Sequence, residues 1–341
     1  MNEVVREDIL DFVKSFDLSD RIEKTTFLIT GATGLIGSSL IRCLLALDKS
    51  VRIFAPVRNL KKVTELYDES QIEKVHFIEC DITQYDYESL GNIDFIVHCA
   101  APTSSKFFVE HSVETFEIIV DGTKKMLQLA RQKQVKSMVY LSSLEVYGET
   151  LDDSSAVDES FQGYLDPVSV RSSYPMAKRA TENLCSLYAA EYGVPVKVAR
   201  LTQTTGAGIA KDDNRIIAQF ARLAAQNRDI ILHSTGESAR PYCYVTDAIS
   251  ALLYILLKGE KGECYNVANE STYISAKGMA EFVRENVNPN IQVKVELDDS
   301  QGYAPPTKLR LDASKLKKLA WQPKYGLKEI FDRLVLYLKN T

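Results

Sequence analysis

The sequence predicts an α/β protein, a doubly wound parallel sheet with a smaller discontinuous lobe, and three observations predict it. Up to about residue 202, short apolar runs alternate with helical patterns, the signature of a parallel sheet covered on both faces. A glycine turn, Thr30-Gly31-Ala32-Thr33-Gly34-Leu35-Ile36-Gly37, joins the apolar run Thr26 to Ile29 to another from Leu35 to Leu47, which reads as strand, turn and helix. From about residue 203 onward the alternation loosens into loops, at Thr204 to Asn214 and Ser234 to Pro241.

In chain order, residues 5–22 form an amphipathic lead-in helix, with Ile9, Leu10, Phe12, Val13, Phe16 and Leu18 on the side expected to pack against the core. Strands are expected at 26–30, 51–57, 75–79, 94–99, 137–142 and 195–200. The last five end near Arg58, Cys80-Asp81, Cys99-Ala100, Ser142-Ser143 and Arg200, and ligands in such sheets collect at the carboxyl ends of strands. A strong helix follows at 246–257 and a charged one after Tyr325. The expected organisation is a lead-in helix over 1–24, a dinucleotide-binding domain over 25–202 plus 235–264, and a substrate lobe over 203–234 plus 265–341.

Composition narrows the function. With 341 residues and 45% hydrophobic content, the chain can bury a large core. A net charge of −5 and scattered basic residues exclude a nucleic-acid footprint. Four histidines, at 76, 98, 111 and 233, lack metal-ligand spacing, so no metal site is expected. The six cysteines, at 43, 80, 99, 185, 243 and 264, show no CxxC pair and sit mostly in apolar segments, which favours buried thiols in a reducing compartment. No apolar run reaches membrane length and no signal-peptide core is present at the N-terminus, so the cytoplasm is expected.

Two motifs carry the chemistry. Glycines 31, 34 and 37 allow a tight turn, close approach of backbone to a pyrophosphate and close helix packing, with Thr33, Leu35 and Ile36 completing a cradle at a helix N-terminus. Tyr174-Pro175-Met176-Ala177-Lys178 places a phenol and an ammonium on one helix face, where the ammonium is expected to lower the phenol's pKa. Together they imply a nicotinamide enzyme: Tyr174 takes a hydroxyl proton while the carbinol hydride leaves. The second strand ends in Arg58-Asn59 rather than in a carboxylate for a ribose hydroxyl, and a guanidinium there suits a 2′-phosphate, so the cofactor is NAD or NADP with a lean to NADP.

These residues resemble the extended short-chain dehydrogenase/reductase family, in its nucleotide-sugar epimerase/dehydratase branch, along nearly the whole chain. Besides the two motifs, the likeness runs through Asp81-Ile82, Val97-His98-Cys99-Ala100-Ala101, Ser142-Ser143-Leu144-Glu145-Val146-Tyr147-Gly148, Arg240-Pro241-Tyr242-Cys243-Tyr244-Val245, Tyr265-Asn266-Val267 and Asp312-Ala313-Ser314-Lys315 with Trp321. The resemblance implies a Rossmann-type fold, a cofactor retained through the cycle, and often a homodimer. It implies that Asp81 and Ile82 meet the adenine, that Ala100 and Ala101 line the cofactor, and that Ser143 rather than Ser142 hydrogen-bonds the reacting oxygen. It implies too that Arg240 meets the diphosphate of a nucleotide-sugar, with Gln203 and Tyr242 as pocket residues. Gln203 and Ile119 stand where the family often has asparagine.

The subfamily turns on Leu144-Glu145. Sugar 4,6-dehydratases of this family usually carry an acid at both positions, and Leu144 cannot protonate a departing hydroxyl. Glu145, at the end of a central strand, remains able to remove a proton beside a transient ketone. The expected activity is an epimerase/dehydratase-type conversion of a nucleotide-sugar. The alternatives are a nucleotide-uronic acid decarboxylase, an NADPH-dependent ketoreductase and a non-catalytic cofactor-binding protein.

Overall fold

The strands are β1 (Thr26–Thr30), β2 (Arg52–Val57), β3 (Val75–Glu79), β4 (Phe95–His98), β5 (Ser137–Ser143), β6 (Val196–Leu201), β7 (Gln203–Thr205), β8 (Ile230–Leu232), β9 (Ala239–Tyr244), β10 (Cys264–Val267), β11 (Asn269–Ser275) and β12 (Val293–Val295). They belong to a computed structural model that describes residues 1–150, 152–298 and 307–341. Seven of them form one parallel sheet in the order β10-β6-β5-β4-β1-β2-β3. β1 lies between β2 and β4, so the chain reverses its direction of winding there and a crevice opens at the carboxyl ends of β1 and β4.

The helices are α1 (Glu3–Ser15), α2 (Leu35–Ala46), α3 (Leu60–Leu66), α4 (Glu69–Ile72), α5 (Ser105–Glu110), α6 (Ser112–Gln132), α7 (Ser173–Glu191), α8 (Ile216–Ala225), α9 (Val245–Lys258), α10 (Ala276–Asn286), α11 (Ser314–Lys317) and α12 (Leu327–Lys339). β1 shows how both faces of the sheet are covered. Phe27 and Ile29 enter the core shared with α1, α2 and α9, whereas Leu28 enters the core shared with α6 and α7. All three are fully buried, each such side chain contributing about 1.5–3 kcal/mol of transfer free energy.

A second core gathers Ile217, Phe220, Tyr242, Tyr244, Met279, Val283, Ile330 and Phe331. Above it β9 pairs with β7 in parallel and with β11 antiparallel, and β8 pairs with β12. Sheet membership therefore alternates along the chain, β9 joining the small sheet and β10 the large one. Among the described residues no helix is long and apolar enough to cross a membrane.

The lead-in helix is shorter than its pattern suggests. α1 is capped by the Asn2 side chain and stops at Ser15, because Phe16 turns extended, and a short 3₁₀ turn occupies Ser19–Ile22. Phe12 and Phe16 stack on each other and Phe16 meets Tyr254 of α9 edge-on. From the same helix Asp8, buried, accepts from the Tyr244 hydroxyl at 2.6 Å and pairs with Arg333 of α12. Arg333 also reaches Asp11, which accepts from Tyr325 as well. Asp247, at the start of α9, accepts the backbone N–H groups of Lys324 and Tyr325, each at 3.0 Å.

Burial pushes both Asp8 and Asp247 up to about 6, against the pull of Arg333 on the first and of the two backbone donors on the second. The folded state therefore holds these protons more tightly than the unfolded chain, so stability falls as pH rises from about 4 to about 6 through these two groups. Asp8→Asn removes one of the protons and keeps an acceptor for Tyr244. We expect the denaturant midpoint of the variant, relative to wild type, to shift in the variant's favour across that window, and a gap that stays flat with pH refutes the assignment.

Candidate active site

Gly31 has φ +71°, and a Cβ there would stand 2.9 Å from the Ala100 nitrogen and the Cys99 carbonyl carbon. The first glycine thus lets the turn after β1 pass hard against the end of β4. At Gly37 a Cβ would lie 2.3 Å from the Gly31 carbonyl oxygen, so α2 can approach the turn only because that position is bare. Gly34, the N-cap of α2, would meet protein only at 3.4 Å, and its bareness matters for what approaches from outside. A half-exposed helix N-terminus with room for a backbone-close anion fits a dinucleotide diphosphate. Thr33 and Ile36 stand at its rim, and Leu35 packs toward the second core.

Behind the turn runs a chain of hydrogen bonds whose directions can be assigned. The Ala100 N–H donates to the Thr30 hydroxyl (3.1 Å), which meets His98 Nδ1 (2.7 Å), while His98 Nε2 meets the Thr123 hydroxyl (3.1 Å) and Thr123 donates to the Ile119 carbonyl (2.8 Å). Since the Thr123 proton is committed to Ile119, its oxygen accepts. His98 therefore donates through Nε2 and accepts at Nδ1 from Thr30. Burial pulls this imidazole down to about 3, so it is neutral. Gly122, beside Thr123, lets Ile82 approach: a Cβ would lie 3.0 Å from its Cδ1. Asp81 caps the following turn, accepting the Thr83 N–H and hydroxyl, and feels the charge of exposed Arg58.

The sequence-predicted catalytic residues meet at the end of β5. Ser143 caps the 3₁₀ turn Leu144–Tyr147 by accepting the Glu145 N–H at 3.2 Å, which leaves its own O–H to donate, and it acts on the Tyr174 phenol so as to favour ionisation. Neighbouring Ser142 Oγ is buried without a partner among the described residues. The Lys178 ammonium donates to the Leu141 carbonyl at 2.7 Å and lies 4.8 Å from the Tyr140 ring and 5.6 Å from the Tyr174 ring. Burial draws Lys178 down to about 8, opposed chiefly by Glu182.

The phenol differs from its expectation. Burial raises it above the usual tyrosine range and Glu145 adds to the rise, whereas Ser143 and Arg171 oppose it. Lys178 lies beside the ring, but the cation acting on the hydroxyl from outside α7 is Arg171. Glu145 differs too. A third of its side chain is exposed and its Oε2 accepts from Arg171 at 3.1 Å, so this carboxylate is paired instead of being withdrawn from water.

Two residues of this cluster escaped the sequence reading. Arg171 stands one helical turn before Tyr174, a spacing that could have flagged it. Phe108, on α5, stacks flush on the Tyr174 ring, with centroids 4.2 Å apart and planes 11° apart, and nothing periodic in Ser104 to His111 marks it. Ile119, where the resemblance led one to expect asparagine, packs with Phe108, Ala177 and Tyr174, and its carbonyl supports Thr123.

The predicted substrate residues lie on the small sheet. Gln203 opens β7, two residues past Leu201, which pairs in register with Ser143. Arg240, partly exposed on β9, reaches the Thr307 hydroxyl at 3.5 Å. Tyr242 is buried in the second core, with its phenol pushed up to about 12 by burial against the pull of Arg240. Ala101 lies against the Phe108 cluster.

A family model, the NAD-dependent epimerase/dehydratase family, matches residues 27–268. UDP-glucuronic acid decarboxylase 5 of Arabidopsis thaliana is 31% identical over 304 residues, covering 89% of this chain and 86% of that protein. The crystal structure of UDP-glucose 4-epimerase from Thermotoga maritima with UDP-glucose superposes with a TM-score of 0.79 at 22% identity, over 92% of this chain and 99% of that one. UDP-glucuronic acid 4-epimerase from Bacillus cereus, in complex with UDP-glucuronic acid and NAD, superposes with a TM-score of 0.77 at 20% identity, over 92% and 99% of the two chains. At those identities the two structures report a shared fold.

The close contact at Gly37 gives a direct test of the cradle. Gly37→Ala drives a methyl into backbone that cannot yield, and we expect NAD binding, measured by calorimetry, to fall below detection together with a lowered melting temperature. Gly122→Ala meets only the flexible end of Ile82, and should cost far less in both measurements.

Proposed function

The chain belongs to the NAD-dependent epimerase/dehydratase family, and from that premise we propose that it converts a nucleotide-sugar without net oxidation, through a transient ketone at a sugar hydroxyl carbon. The observation that carries this reading is the meeting of Tyr174, Ser143 and Lys178 at the end of β5, beside the cradle that opens between β1 and β4. The turn through Gly31, Gly34 and Gly37 at the start of α2 would hold NAD, which would supply hydride-transfer chemistry and a positive charge near the phenol. Tyr174 takes the hydroxyl proton, and the Ser143 O–H donates to the same oxygen. Lys178 is held on Leu141 O beside the ring, while Arg171 and Ser143 oppose the burial of the phenol.

Within this class the residues favour decarboxylation of a nucleotide-uronic acid, the reaction named for the Arabidopsis relative. A ketone one carbon removed from the carbon bearing a carboxylate makes a β-keto acid. The bond to the carboxylate then breaks, carbon dioxide leaves, and the electron pair passes to the ketone oxygen already held by Ser143 and Tyr174. A proton from solvent must next reach the adjacent carbon, and we assign its delivery to Glu145, whose partly exposed carboxylate can take that proton up and whose Oε2 is steadied by Arg171. Leu144 offers no acid for a departing hydroxyl, which disfavours dehydration.

We further propose that Arg240 meets the diphosphate and that Arg58 meets a 2′-phosphate, giving the site its lean to NADP. Val109 on α5 and Val113 and Phe116 on α6 are exposed apolar side chains that suit a homodimer, and six unpaired cysteines suit a reducing cytoplasm.

Two variants test this assignment. With UDP-glucuronic acid, Glu145→Gln should still form reduced nicotinamide on the enzyme, visible in the near ultraviolet, while formation of the decarboxylated nucleotide-sugar falls about a hundredfold. Product formation close to wild type removes the decarboxylase reading and leaves a simple epimerase. Arg58→Ala should weaken NADP binding far more than NAD binding, and equal affinities before and after assign the site to NAD.

A further inference from the structure

We propose that Phe108 is a positioning residue for Tyr174: its ring, stacked on the phenol, fixes the plane in which the hydroxyl faces Ser143 and keeps water from that side. This inference rests on the functional reading above, but adds a residue to it. The geometry begins with α5 itself. This six-residue helix buries one side chain, Phe108, and that side chain ends on the catalytic ring. The helix is held there from the other side as well, because the Ser173 hydroxyl, next to Tyr174 in α7, donates to the Phe108 carbonyl at 2.9 Å. α5 therefore cannot shift without moving the stack or breaking that bond.

Phe108, Ile119 and Ala177 close an apolar wall around Tyr174. A phenol at the end of two rotatable bonds can swing its oxygen by several ångströms, and a displacement of about 1 Å at a reacting group costs on the order of a hundredfold in rate. A parallel ring at 4.2 Å removes that freedom. The same ring also lies 5.6 Å from the Arg171 guanidinium, which pairs with Glu145, so Phe108 touches both the phenol ring and the arginine of this cluster.

The groups that face the phenol are Ser143 on β5, Glu145 on the turn after it, Arg171 before α7, Lys178 within α7, and Tyr140 on β5. Phe108 contributes no charge, so its removal acts through water and orientation. Opening that side hydrates the phenolate, and the raised phenol should return toward the ordinary tyrosine range.

The test has one arm independent of turnover. Tyrosinate absorbance of the ligand-free protein is titrated for wild type and for Phe108→Ala, each minus its Tyr174→Phe twin, so that the difference reports Tyr174. We expect Phe108→Ala to lower the ionisation of this phenol by about one to two pH units, with Phe108→Tyr, which retains the stack, close to wild type. In the second arm, with UDP-glucuronic acid and NAD, kcat of Phe108→Ala should fall roughly ten- to hundredfold with KM changed little, and Phe108→Tyr should restore it. Phe108→Leu preserves apolar bulk without the flat ring. If Phe108→Ala does not fold, a Leu variant with wild-type kcat overturns the proposal. An unmoved phenol titration overturns it too, and so does a rise in kcat/KM, which would mean that the ring obstructs the site. Failure of the wild type to act on any nucleotide-sugar sinks the functional reading alone, since the titration still decides the role of Phe108.

Discussion

His98 can join Thr30 and Thr123 only as a neutral imidazole with its proton on Nε2, and the geometry of the site depends on that choice. Thr30 ends β1, His98 ends β4 and Thr123 lies in α6, so one ring fixes three elements where the sheet reverses its winding. The Thr30 oxygen in turn fixes Ala100, against whose nitrogen Gly31 is pressed. A charged imidazole would need two acceptors; Thr123 already serves as one, but Thr30 could accept from Nδ1 only by losing its own donated bond. Burial prevents that charge. The glycine turn is thereby set by a polar relay buried behind it as much as by its own bare positions.

In the proposed reaction Tyr174 loses a proton, yet it sits in an apolar pocket with a carboxylate nearby. Such a site favours the neutral phenol until a positive charge arrives, which ties ionisation to occupancy of the cradle. Glu182 shows the same economy of charge. It holds Arg200 by a buried pair at 2.6 Å and also opposes the burial that draws Lys178 down. The Arg200 guanidinium continues to the Tyr147 hydroxyl, which donates to Asn266 of β10, so the edge strand of the sheet is anchored to the turn that carries Glu145.

Much of this was legible in the sequence, and the reasons are physical. Strands buried on both faces leave unbroken apolar runs, and β1 to β6 appeared within a residue or two of where they lie. Glycines that admit a diphosphate and a Tyr/Lys pair on one helix face are spacing signals, so the cradle and the pair could be located without coordinates. The partners of that pair could not. Phe108 and Arg171 reach Tyr174 through a loop and a short helix, where side-chain direction follows from tertiary docking and no period records it. Glu145 was recognised as a residue, but its pairing with Arg171 depends on how two turns face each other. The halt of α1 at Ser15 was hidden for a related reason: Phe16 and Leu18 carry on the apolar pattern and are buried, but from an extended stretch and a turn.

α1 lies before the residues that the family model covers, yet its contacts run the length of the chain. Asp8 is separated from Tyr244 by 236 residues and from Arg333 by 325. During synthesis α1 therefore meets Arg333 only when α12 has emerged. A 13-residue helix is marginal by itself in water, so α1 stays frayed, with Phe12 and Phe16 uncovered, until the two lobes around it are made. Its docking is a long-range closure that joins α1 to α12, and a nascent chain that stalls before α12 leaves a buried-type carboxylate without the arginine that completes its pairing.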